Sequence, residues 1–354
     1  MEADPLFVSF VRTLELAPRY VLWGKDDTEC LPGVLTMLYS APRSGLYALC
    51  IITPCGPYLE CSGWSDVEGA GRKALVNLFL SGCLTKLTIH APIEEWLLLL
   101  PKIPKGLVSM ELSQASFSRT QQWGTALDVG DGEGARLEKL VVDEESVRML
   151  FVDLEAGPAT RKRILAMMQG LKTLELRRVP WSEKRVFGFA VVLEQCTISL
   201  QRLVWSIHTQ DQISTILSHV PLSSFTALRS LTFKIWTNDG LVPNINTYHI
   251  FLAIEESAMP SLEHLAFAIR LRSNQSRPGT IDDLTELATG WGWEALDVAL
   301  ASAVQYPWLG LVEMGIGDRL GTEEVYAKEE ARGHLEALFP SILARGVNLK
   351  ISLE

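Results

Sequence analysis

The stretch that decides the fold is Leu171-Lys-Thr-Leu-Glu-Leu176. It returns 29 residues later as Leu200-Gln-Arg-Leu-Val-Trp205, and 28 after that as Leu228-Arg-Ser-Leu-Thr-Phe233. The phrase is apolar, two residues, apolar, one residue, apolar. Worked outward from there, it recurs from Leu137, Leu107, Leu84, Leu46 and Val11 on one side and from Leu262, Leu309 and Gly346 on the other. Eleven copies result, at a mean spacing of 33.5 residues. At the second, third and fifth places 23 of 33 residues are polar or charged, while the sixth place is always apolar. Alternation of this kind is the period of a strand with one buried face.

The intervening stretches read as helices: 161–169, 184–193, 212–218, 248–258, 293–304 and 323–338, with 93–100 among them. They lack internal proline, and apolar residues recur at helical spacing, as in Leu296, Leu300 and Val304. Gly82, Pro104, Gly170, Pro260 and Pro307 stand where a helix would stop before the next strand. The chain is therefore expected to alternate strand and helix throughout.

Two architectures share that pattern. A closed (β/α)8 barrel uses about 30 residues per unit, so length does not exclude it. The fifth place of the phrase decides otherwise at this level. It holds Glu15, Glu111, Glu175, Glu313 and Lys350, charges that would be costly inside a packed barrel. An open parallel sheet with this column in water accommodates them. The expected fold is an α/β leucine-rich-repeat solenoid, a horseshoe of about eleven irregular repeats with the parallel sheet on its concave face. It is expected to form a single domain over 1–354, interrupted by an insertion loop at 272–290 between repeats 9 and 10, where the spacing rises to 47.

The phrase resembles leucine-rich repeats of the form L-x-x-L-x-L over nearly the whole chain. "FVRTLELA", "SLEHLAF" and "LEALFPSILARGVNLKISLE" are similar in texture to the repeat regions of fungal F-box proteins. The asparagine or cysteine expected three residues after the last apolar place is missing: Arg19, Pro54, Pro92, Val179 and His208 stand there instead. The resemblance implies a protein-recognition module, a substrate receptor of F-box type without its F-box. A Skp1-type adaptor is implied only if an F-box lies upstream, since the first phrase begins at Val11 and leaves no room for one.

Composition bounds the other classes. The 354 residues are 47% apolar and 21% charged, a globular balance. The net charge of −10 speaks against a general nucleic-acid binder, and no apolar run approaches the ~18 residues of a membrane span. No leader is legible at the N-terminus, so a cytoplasmic or nuclear setting is expected. Of six cysteines, five fall between Cys30 and Cys83 without a Cys-x-x-Cys pair, and ordinary thiols are expected.

Catalytic motifs are absent from the sequence, and neither cofactor nor metal is expected. The Asp128–Gly134 run suggests calcium, but an EF-hand loop begun at Asp128 would place Lys139 where a bidentate Glu is required. The expected function is therefore non-catalytic binding of a protein or peptide along the sheet. Lys139, Lys172, Arg177, Arg202, Arg229 and Lys234 form a basic strip suited to an acidic or phosphorylated segment, with Glu138, Asp143 and Glu175 among them. Trp291 and Trp293 are either a partner anchor or a staple holding the insertion. The alternative is a (β/α)-barrel enzyme with His90, Asp143, Glu144 or His208 as acid–base groups at the carboxyl ends of strands.

Overall fold

In the computed structural model the described residues are 12–16, 33–38, 46, 48–52, 74, 77–78, 83–90, 106–113, 136–143, 146, 165–177, 183–207, 213–237, 245–271, 292–317 and 325–353. The chain divides into two compact units, residues 1–171 and 172–354.

The first unit holds β1 (Thr13–Leu16), β2 (Ala48–Ile52), β3 (Lys86–His90), β4 (Ser109–Ser113) and β5 (Lys139–Val142), paired in that order and all parallel. The second holds β6 (Thr173–Leu176), β7 (Arg202–Ile207), β8 (Ser230–Thr237), β9 (His264–Leu271), β10 (Leu311–Gly317) and β11 (Asn348–Leu353), again sequential and parallel. Between them lie α1 (Glu183–Cys196), α2 (Ile213–His219), α3 (Ile245–Glu255), α4 (Trp293–Leu300), α5 (Val325–Glu336) and the short α6 (Pro340–Ala344). Residues 165–168 are also helical, as the spacing predicts. The expected helix at 93–100 and the expected insertion loop at 272–290 lie outside the described residues.

Every strand begins at the third place of its phrase. The register follows the same frame: Glu15 faces Cys50, Cys50 faces Thr88 and Thr88 faces Glu111, while Glu175, Val204, Thr232, Ala266, Glu313 and Lys350 align across the second unit. The backbone enforces this alignment at the second place. The Thr85 carbonyl accepts the N–H groups of both Val108 and Ser109, that of Gln201 those of Arg229 and Ser230, and that of Arg229 those of Glu263 and His264. These bonds tie each repeat to the next without the missing asparagine ladder.

The first, fourth and sixth places point into the core. Leu84, Leu107, Leu137, Leu171, Leu200 and Leu228 are fully buried. Trp205, Phe233 and Phe267 share one register row, with ring centroids 6.3 and 5.9 Å apart. Burying such rings contributes about 1.5–3 kcal/mol each, which sets strand order firmly.

The horseshoe expectation requires correction. Its ground was an outer column bathed in water, and only the end members Glu15 and Lys350 are exposed in that column. Thr88 (8% exposed), Val141 (2%), Val204 (4%) and Ala266 (9%) are buried in that column. The middle residues of β3, β5 and β7 are covered on both faces. Parallel strands covered on both sides belong to α/β folds built from β–α units. Glu111, Glu175 and Glu313 retain 21, 24 and 31% of their exposure, each beside a cation or an imidazole. That pairing offsets the desolvation cost which had argued against a sheltered place for them. Each unit forms a sequential, all-parallel strand–helix arrangement rather than a stretch of leucine-rich-repeat solenoid. The resemblance to the repeat regions of fungal F-box proteins fails with it.

Candidate functional site

His90 is the last residue of β3, at the carboxyl end of a parallel strand, and Ser113 of β4 is its register partner. Its Nε2 lies 3.2 Å from Glu111 Oε1, two places back along β4. The strand pleat puts both on one face, because places five and seven of the phrase point the same way. Both side chains are partly sheltered, which strengthens their interaction relative to open water. With Nε2–H donated to the carboxylate, Nδ1 carries the lone pair that can take a proton.

Cys50 lies two strands from Glu111 in the same row. Burial raises its thiol above the usual value, and the Glu15 and Glu111 carboxylates raise it further against the smaller pull of Lys86. The thiol is thus held protonated, which makes Cys50 a weak nucleophile and leaves proton transfer to the imidazole.

Of the other acid–base candidates, Asp143 has a structural duty. Its Oδ1 accepts the Ser146 N–H at 2.9 Å and the Ser146 hydroxyl at 2.7 Å, the bonding of a cap at a helix start. Glu144 and His208 lie outside the described residues.

Three members of the basic strip have carboxylate partners. Lys234 Nζ and Arg177 Nε approach Glu175 Oε1 at 3.3 and 3.6 Å, and Arg229 approaches Glu263 at 3.4 Å. Lys139, Lys172 and Arg202 are exposed, the first in the other unit from the rest. Trp291 lies outside the described residues. Trp293 is a core residue rather than a surface anchor: it is buried against Phe251, Phe267 and Phe339, with centroids 4.6, 6.3 and 5.8 Å away.

A second imidazole–carboxylate pair went unread in the sequence. His264 Nε2 lies 3.1 Å from Glu313 Oε2, and Lys350 Nζ lies 2.8 Å from Glu313 Oε1. The signal was present: His264 at place three and Glu313 at place five of adjacent copies must share a face. Among the described residues no group of three His, Cys, Asp or Glu side chains is disposed to hold a metal ion.

These features define a parallel-sheet α/β protein with an imidazole–carboxylate pair where β3 ends beside β4. The non-catalytic recognition reading, and with it the substrate-receptor role, rested on the open wet face and is corrected accordingly. Neither protein-family models nor curated proteins give a match to this chain. No helix among the described residues is long and apolar enough to cross a membrane.

Proposed function

We propose that this chain is an enzyme of (β/α)-barrel-like build that catalyses proton transfer on a small polar substrate. The observation that carries the reading is the contact of His90, at the carboxyl end of β3, with Glu111 in the middle of β4. Parallel α/β sheets hold their ligands at that end, where strand termini and loops converge. His90 acts as general base and then as general acid. Glu111 orients the ring and stabilises the imidazolium formed when His90 takes a proton. The protonated Cys50 thiol, two strands away in the same row, keeps charge low beside them. We place the activity in the cytoplasm or nucleus, a reading supported, among the described residues, by the free thiols of Cys50 and Cys196.

The test is enzyme-dependent exchange of deuterium from solvent into a panel of small carbon acids, read by mass spectrometry. His90→Gln and Glu111→Gln should each slow exchange on the order of 10²–10⁴-fold while the circular dichroism spectrum is kept. Absence of exchange across the panel, or exchange indifferent to both substitutions, would overturn the proposal.

A further inference from the structure

A nucleophile stands beside the second pair. Ser230 Oγ lies 3.4 Å from His264 Nδ1, and the opposite ring nitrogen, Nε2, lies 3.1 Å from Glu313 Oε2. Hydroxyl, imidazole and carboxylate thus stand in series across β8, β9 and β10, each from a different strand. Ser230 and His264 are register partners, so the sheet itself fixes their separation. All three are partly exposed, open to a reagent yet sheltered enough to interact. Lys350 holds Glu313 as a carboxylate by donating to its other oxygen, which leaves Oε2 to the imidazole.

We infer that Ser230, His264 and Glu313 form a nucleophilic triad that hydrolyses small carboxylic esters, a site separate from the His90–Glu111 pair and independent of it. Three roles, rather than any sequence order, define such a triad. As Ser230 Oγ bonds to the ester carbonyl carbon, its proton passes to His264 Nδ1, and Glu313 stabilises the resulting imidazolium through Nε2–H. The tetrahedral adduct collapses by breaking the bond to the alcohol oxygen, which takes the proton from His264. Water then repeats the sequence on the acyl-serine, releasing the carboxylic acid and restoring Ser230. Exposed Arg202, the register partner of Ser230 on β7, supplies positive charge beside the developing oxyanion. Ser230 and His264 are the catalytic residues of this site, and Glu313 is a positioning residue.

The experiment is labelling of the full chain with an alkyl fluorophosphonate, in which the Oγ–P bond forms as the P–F bond breaks and fluoride leaves. Peptide mass spectrometry should place one adduct on Ser230, and Ser230→Ala should lose it. His264→Gln should slow labelling on the order of 10²–10⁴-fold, the usual share of a general base. Glu313→Gln should slow it less, and Glu313→Asp should recover part of the rate; a merely structural glutamate would leave labelling of the folded Glu313→Gln variant unchanged. His90→Gln should label like the parent, which separates this site from the proton-transfer reading. An adduct elsewhere, no adduct, or labelling unchanged in His264→Gln would overturn the triad.

Discussion

Asp297 Oδ1 accepts the backbone N–H of Ile342 at 2.9 Å, joining α4 to a helix that begins more than forty residues later. Its Oδ2 accepts the N–H of Ser341 at the same distance. A buried carboxylate thus serves two amide groups at the first turn of α6, which has no side-chain cap of its own from Phe339. The positive end of the helix dipole adds to the attraction. Asp297→Ala should lower stability by about 1–3 kcal/mol, the cost of leaving buried donors unsatisfied, and Asp297→Asn by less. Urea unfolding followed by circular dichroism measures both.

Trp293 occupies the junction of α3, α4 and β9, touching Phe251 and Phe267, and it also meets Phe339 just before α6. No rearrangement of neighbours fills so large a gap, so Trp293→Ala should cost about 3–5 kcal/mol. Trp293→Phe should cost clearly less. Thermal melts of the two variants give the comparison; equal and small losses would place the ring outside the core.

Glu313 titrates below the ordinary carboxylate range, first because Lys350 donates to it and also through His264, with burial opposing. A lowered folded-state value contributes stability above the unfolded value, and that contribution is lost as pH falls through the folded one. Both partners are partly exposed, so Lys350→Met should cost less than about 1 kcal/mol at neutral pH. The difference between parent and variant should close as pH drops below about 4, where carboxylates take up protons. Stability curves measured from pH 3 to pH 7 check the sign.

Cys196 is buried at the end of α1, and burial pushes its thiol up to about 12. Its Sγ also lies near the Val192 and Leu193 carbonyls. In the folded protein at pH 8, iodoacetamide should leave Cys196 unmodified and react with it only after denaturation, since the thiolate is the reactive form. Mass spectrometry before and after unfolding reads this directly.

The strands were legible in the sequence because their phrase records two things at once: where the chain alternates, and which places face inward. Leu84, Leu137 and Leu200 are buried as their places require, and strand starts and register follow from the same frame. The outer face was misread for an equally specific reason. Glu111, Glu175 and Glu313 look solvent-facing when each is taken alone, but His90 and Lys350 approach the first and last from the adjacent strand and Lys234 approaches Glu175 from two strands away, and this makes shelter tolerable. Trp293 was left between two readings because a tryptophan beside glycine carries no sign of which way its ring turns.

Sequence by itself determined the alternation of strand and helix, the eleven strand positions and the set of side chains that share each face. These are local properties, fixed by the period of the backbone and by the apolarity of single residues. Only the tertiary structure decided how far the second face is covered and which polar groups meet on it. Ser230 meets His264, and His264 meets Glu313, because three separate strands are stacked at hydrogen-bonding distance, and no single repeat contains the information that sets that contact.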